Sequence, residues 1–312
     1  MNTKLGRFLA VVGILAVGCD KHEESARATA AHPSNGYYIV GKNGAQLRDG
    51  TKLLPGFGVV IVEQHSFAGA MIGTTSLGRE VAMRDLRPAN PSHFSGMLVD
   101  DAGLNFGWVI REGAAVYARP DAESKIVARR ARYARLPLSS PDGPQGFYRI
   151  ADGWMSEADL KVPKRAARPA SVADDEPWLD VELATQTLVA YQGDKPLFAT
   201  LVATGVGADG SPFATPKGIH RIRAKLLAAT MDNLEHKGVV PYSYEEVPFT
   251  QYIGRVALHG AFWHDQFGAP RSHGCINLSP SDAEWLFRFT QPVLPEGEKE
   301  IAAKAGTVVR VR

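Results

Sequence analysis

The chain reads as mainly β, with small modules in its N-terminal half and a larger C-terminal domain. Three observations predict this. From Gly36 onward the apolar runs are short and are broken by Gly, Pro and Asp. Trp178-Leu179-Asp180-Val181-Glu182-Leu183 alternates with period two, as a half-buried strand does. A length of 312 residues is about two domains' worth of chain. Composition narrows the class further. With 45% hydrophobic and 22% charged residues the chain is too apolar for a disordered polymer. Thirty-five basic residues against thirty-three acidic ones leave a net charge of +2, so nucleic acid is not an expected partner. The two cysteines, Cys19 and Cys275, can build neither a disulfide scaffold nor a four-thiolate metal site.

Taken in order, residues 1–18 read as an export signal: Lys4 and Arg7 are basic, and Phe8–Val17 is uncharged and too short for the roughly 20 residues that cross a bilayer. Ending on Gly18-Cys19, the segment resembles a bacterial lipoprotein signal, which implies lipidation of Cys19. Any membrane contact would then run through that anchor. Residues 19–35, polar and Ala-rich, read as a tether, so the folded part is expected in the cell envelope, outside the cytoplasm.

Two stretches then echo each other. One, residues 36–90, runs from Tyr37-Tyr38-Ile39-Val40 to Met83-Arg84-Asp85-Leu86. The other, residues 104–163, runs from Gly107-Trp108-Val109-Ile110 to Met155-Ser156-Glu157-Ala158-Asp159-Leu160. Both resemble bacterial SH3-like barrels, the second more closely, and the resemblance implies wall-binding or spacing modules. Arg129, Arg130, Arg132 and Arg135 form a basic run that reads as a solvated face or a contact for an anionic polymer.

Residues 164–176 are rich in Lys, Arg, Ala and Pro and read as a linker. In 177–312, the alternating Trp178–Leu183 precedes a hairpin with arms Leu188–Tyr191 and Leu197–Thr204. The turn Thr215-Pro216-Lys217-Gly218 leads into an alternating Ile219–Lys225, and Thr307–Arg312 reads as the last strand. Ser279-Pro280-Ser281-Asp282 carries a Ser cap, a Pro in the first turn and an acid three residues after the cap. That predicts a helix Pro280–Thr290 burying Ala283, Leu286 and Phe287, with its N-terminal dipole directed at the turn bearing Cys275.

The chemistry lies between Val256 and Asn277. His259-Gly260 ends one apolar run, and sixteen positions after His259 comes Cys275, within Arg271-Ser272-His273-Gly274-Cys275-Ile276-Asn277. A thiol is mostly protonated at neutral pH, and a nearby imidazole can take its proton and return it to a departing amine. Local chemistry therefore points to acyl transfer through a thioester, with turn amides as an oxyanion hole. Two other readings stand beside it: Cys275 as a buried core residue, and a zinc site from His259, His264, His273 and Cys275. His22, His32, His65, His93, His220 and His236 read as surface or core residues.

The Ser272-His273-Gly274-Cys275-Ile276-Asn277 string, preceded by His259-Gly260, resembles the signature of the bacterial L,D-transpeptidases, the YkuD-type domain, over roughly Pro177 to Arg312. The resemblance implies Cys275 as nucleophile and His259 as general acid/base. Gly260 would orient the imidazole through its carbonyl, and His273 and Gly274 would shape the turn. Arg271, Ser272, Asn277, Trp263 and Tyr252 would stand near substrate. The implied partners are peptidoglycan stem peptides, and no metal or organic cofactor is implied. An L,D-carboxypeptidase or an enzyme attaching protein to the wall would share these residues. A wall-binding lipoprotein without catalysis is the reading from a different class, and a monomer is expected.

Overall fold

Aromatic and β-branched side chains in Tyr37-Tyr38-Ile39-Val40 favour an extended backbone, and Gly36–Val40 (β1) is the first strand of the computed structural model. It describes residues 36–101, 103–140, 146–235 and 240–312. The export signal, the tether, Cys19, His22, His32 and His236 lie outside the described residues. After β1 come Ala45–Gln46 (β2), Lys52–Leu53 (β3), Gly58–Phe67 (β4), Ala70–Thr75 (β5), Glu80–Ala82 (β6) and Leu86–Pro88 (β7). The antiparallel order is β6-β5-β4-β1-β7. Val40, Leu47, Leu53, Phe57, Val59, Ile61 and Val81 fill this module's core.

A two-residue strand, Met97–Leu98 (β8), follows. It pairs not with either small module but with Phe198 and Ala199 of the C-terminal domain. Gly96 permits the approach, since a Cβ there would stand 2.5 Å from the Ala199 carbonyl oxygen. The second module comprises Phe106–Val109 (β9), Ala114–Tyr117 (β10), Ile126–Arg130 (β11), Arg135–Ser140 (β12), Phe147–Ile150 (β13), Gly153–Ser156 (β14) and Leu160–Lys161 (β15). Its antiparallel order is β11-β10-β14-β13-β12-β9-β15, around Val109, Val116, Ile150, Met155 and Leu160.

The C-terminal domain contains Pro177–Glu182 (β16), Thr187–Gln192 (β17), Lys195–Leu201 (β18), Gly218–Arg221 (β19), Ala224–Asp232 (β20), Ser243–Tyr252 (β21), Ala257–Gly260 (β22) and Ile276–Leu278 (β23). A helix, Pro280–Phe289 (α1), and two strands, Glu300–Ala302 (β24) and Val308–Val311 (β25), complete it. One sheet runs β19-β25-β16-β17-β18-β8, with β16 and β25 parallel. The other carries β24-β20-β21-β22-β23, with β22 and β23 parallel, and extends into the first module where Tyr244 of β21 pairs with Gly58 of β4. Leu179, Val181 and Leu188 of the first sheet pack with Leu258, Ile276 and Leu278 of the second, and Ala283 and Leu286 of α1 join them. Ser279 caps α1 by accepting from the Asp282 N–H, with Pro280 in the first turn. No helix among the described residues is long and apolar enough to cross a membrane.

Two expectations need correction. The Trp178–Leu183 stretch is not half-buried: Trp178, Leu179, Asp180 and Val181 are all covered. Trp178 packs with Phe94, Phe106 and Trp108 from the N-terminal half, and Asp180 receives Arg310 and Arg312. Period two therefore reports two buried faces, one of which holds an ion-paired carboxylate. The alternating Ile219–Lys225 is not one strand either. It breaks after Arg221, Ile222 turns into the core, and β20 continues to Asp232 as one arm of a hairpin with β21.

Candidate active site

His259 and Cys275 are brought together by neighbouring strands. In the parallel register of β22 and β23, His259 stands opposite Asn277, and Cys275 immediately precedes β23. Side chains two apart on a strand share a face, so Cys275, Asn277 and His259 open to one side. Strand spacing and rise put the Cα atoms of His259 and Cys275 roughly 8 Å apart, a separation their side chains can bridge. Both line a cleft of about 330 Å³ with Met231, Tyr242, Tyr244, Trp263, Arg271, Ser272, His273 and Asn277.

Hydrogen bonds within the chain fix the turn that carries the thiol. The Ser272 hydroxyl donates to the Cys275 carbonyl and accepts from the Gly274 N–H at 3.1 Å. Ser272 thus stitches the turn, and its oxygen is used there rather than facing a ligand. Gly274 has φ +118°, and a Cβ would meet the Ala214 carbonyl and Val256 at 3.2 Å, so glycine suits both the backbone and the space. Thr215, from the Thr-Pro-Lys-Gly turn, donates to the Gly274 carbonyl at 2.8 Å and accepts from the Gly205 N–H at 2.9 Å. That sequence turn is therefore a brace for the cysteine turn.

The imidazole of His259 is buried, and its Nδ1 lies 3.3 Å from the Gly260 carbonyl oxygen. A carbonyl can only accept, so Nδ1 carries the proton and Nε2 keeps its lone pair. Burial pushes the His259 pKa down to about 4, opposed by that carbonyl. Burial also pushes the Cys275 thiol up, opposed by a backbone hydrogen bond with Ala257. Burial thus works against charge on either partner, which disfavours a resting thiolate–imidazolium pair. The first turn of α1 stands against the residue that follows His259, since a Cβ on Gly260 would lie 3.2 Å from the Pro280 Cα. Alkylation of Cys275 by iodoacetamide is expected to accelerate continuously through pH 8.5, because the thiolate fraction is still rising there. A rate plateau reaching down to pH 6 would show an ion pair instead.

Aromatic rings make the cleft wall. Trp263 is stacked on Tyr244 (3.9 Å between centroids, 8° between planes) and lies 5.7 Å from the His259 ring. His273 is exposed and stacks on Tyr242 at 5.2 Å. Arg271 is exposed and bonds Gln266. Tyr252 lies at the end of β21 rather than in the cleft lining, close enough to Cys275 for a thiolate to raise its phenol pKa, after burial. Met231, Tyr242 and Tyr244 were not anticipated. Tyr244 lies on β21, Tyr242 just before it and Met231 on the neighbouring β20, so their approach to the cleft is legible only once the pairing of these strands is known.

Among the described residues no three His, Cys, Asp or Glu side chains gather as metal ligands. His264 is instead engaged on both nitrogens: Nδ1 accepts from the Gln266 N–H at 3.1 Å, and Nε2 lies 3.0 Å from the Asn277 amide. Both ring nitrogens thus face partners within the chain, Nε2 facing the Asn277 Nδ2. This removes His264 from the proposed zinc set. The loop between His259 and Ser272 is held from outside as well, by Arg132 on Asp265 and by the Tyr133 hydroxyl accepting from the Phe267 N–H. Arg132 is thus no solvated charge, and Arg130 likewise pairs with Asp152.

Residues 176–311 match the family model described as YkuD, the L,D-transpeptidase catalytic domain. The C-terminal part of the chain is an L,D-transpeptidase catalytic domain. Solved structures to which the chain is similar include the Enterococcus faecium L,D-transpeptidase C442S mutant, at 23% identity and a TM-score of 0.35, over 45% of this chain and 50% of that one. The chain thus spans half the length of that protein. Another is the L,D-transpeptidase from Mycobacterium smegmatis, at 17% identity and a TM-score of 0.34, over 81% of this chain and 99% of that one. No curated relative matches the chain.

Proposed function

We propose that the chain cross-links peptidoglycan stem peptides. The observation that carries the reading is one cleft lined by Cys275 and His259, with the histidine's proton held on Nδ1 by Gly260. Neutral His259 accepts the thiol proton at Nε2 as Cys275 attacks the third-residue carbonyl of a donor tetrapeptide. The amide of Cys275 holds the developing oxyanion, since that of Gly274 already donates to Ser272. The imidazolium then protonates the departing D-Ala amine, leaving a thioester on Cys275 and a neutral imidazole. An acceptor amine attacks that thioester, His259 takes its proton, and the thiol is released with a 3-3 cross-link formed.

Desolvation fits this route. Burial raises the thiol's pKa and lowers the imidazole's, so a proton that moves as the bond forms avoids holding separated charge in the cleft. Tyr242, Tyr244 and Trp263 would flank the donor stem, and Arg271 and Asn277 would contact its polar groups. The envelope location, the Cys19 anchor, the monomeric state and the wall-facing role of the SH3-like modules belong to the same proposal.

Incubating the full chain with disaccharide-tetrapeptide and resolving the products by mass is expected to give a dimer lacking one D-Ala, with its bridge between third residues. Tripeptide alone would mark an L,D-carboxypeptidase, in which water takes the acceptor's place. Unchanged tetrapeptide would refute the proposal.

A further inference from the structure

The strand that walls the cleft is held from behind by the first N-terminal module. Successive side chains on a strand face opposite ways. On β21, Tyr244 turns to the cleft while Glu245 turns to the first module, where its carboxylate is 1% exposed. There it meets Arg79 Nη2 at 2.6 Å, the Ser76 hydroxyl at 3.1 Å and the Val60 N–H at 3.3 Å. All three donors belong to residues 36–90.

The neighbouring contacts converge on the same strand. Tyr37 donates its hydroxyl to the Glu246 carbonyl at 3.2 Å, and Glu246 has φ +50°. A non-glycine residue held there is strained and persists only where its surroundings enforce it. The Tyr37 ring also stacks on Phe262 at 4.2 Å, immediately before Trp263. Gly58 pairs with Tyr244, and a Cβ on it would lie 2.7 Å from the Tyr244 ring and 2.8 Å from Phe262. The module is therefore seated on the back of the Tyr244–Trp263 stack, whose front borders His259.

We propose that the first N-terminal module is a working part of the cleft, and that Arg79 and Glu245 are positioning residues that hold β21 so that Tyr244 seats Trp263 beside His259. The module thus has a duty distinct from wall binding or spacing. The inference concerns substrate positioning and rests on the proposed transpeptidation only for its kinetic readout.

The test uses the full chain with Arg79→Leu, the conservative Arg79→Lys, and Leu53→Ala, which weakens the same module's core. Each is assayed at a temperature where circular dichroism shows it folded. Arg79→Leu is expected to raise KM for the donor stem about tenfold with kcat within about threefold, as loss of substrate positioning does. Acrylamide quenching of Trp263, read as the difference from each protein's Trp263→Phe counterpart, should rise in parallel. Arg79→Lys should stay near wild type in both measurements, and Leu53→Ala should lower stability without moving either. An Arg79→Leu protein with unchanged KM and unchanged Trp263 quenching overturns the inference, as does a Leu53→Ala protein that shifts both equally. If the wild-type chain turns over no stem peptide, the proposed function fails, and the quenching comparison alone decides the positioning role.

Discussion

Replacing Cys275 by Ala is expected to abolish turnover of stem peptide, by at least about 10⁴-fold, the scale on which loss of a nucleophile is felt. The thiol is half-buried on a turn stitched by Ser272 and braced by Thr215, so removing one sulfur leaves the backbone geometry in place. The thermal midpoint should accordingly change little. His259→Ala should fall nearly as far, because without a base the thiol stays protonated at neutral pH. The two residues act as one unit, so the double variant should be no slower than Cys275→Ala alone. Intact-mass measurement during turnover should show an acyl adduct on the wild type and none on Cys275→Ala. Cross-linking by Cys275→Ala at more than a hundredth of the wild-type rate would remove the thiol from the mechanism.

Lys225→Met should cause the largest loss of stability, about 3–5 kcal/mol. Lys225 lies inside β20, fully buried, and its ammonium donates to the carbonyls of Phe287, Thr290 and Pro292 at 2.5, 2.8 and 2.8 Å. Three N–H groups meet three acceptors at the C-terminal end of α1, over the face of the Phe287 ring at 4.4 Å. Burial alone pushes the lysine pKa down to about 7, but these acceptors favour the charged form and oppose that shift. Methionine fills the space and satisfies none of the three carbonyls. A thermal midpoint lower by roughly 10 °C is the expected reading for a unit of this size, and a drop under about 3 °C would show the carbonyls well served without the ammonium.

Lys225 also illustrates what a sequence withholds. In an alternating run it reads as a solvent-facing position, and only the helix end packed across the strand makes it interior. Asp180 is the same case, a polar residue on an alternating strand buried because Arg310 and Arg312 arrive from a strand 130 residues later. Arg132 reads as part of a basic surface run, yet with Tyr133 it holds the loop that follows His259. None of these partners is within local reach along the chain, so no periodicity could register them.

The local features were legible because their causes are local. The α1 cap needs only Ser279, Pro280 and Asp282 within four positions, and it formed as written, although Asp282 also reaches Gly96 and Thr200 to fasten the segment between the modules. The histidine and cysteine were legible as residue types in a motif, His259-Gly260 followed sixteen positions later by Cys275, while their place at adjacent parallel strands came only with the fold. The environment that shifts the two groups was not legible, since the thiol is pushed up by burial and the imidazole's tautomer follows from the Gly260 carbonyl.

Short-range spacing and residue chemistry were thus enough for the β class, the helix after the cysteine and the proposal of Cys275 and His259 as the reacting pair. Only the fold shows which faces are buried, that Tyr244 and Trp263 stack along the cleft, and that Arg79 of the first module bonds Glu245 on the strand that carries Tyr244. Desolvation and close packing depend on what the rest of the chain places against each residue, and that is a property of the folded surface rather than of any stretch of it.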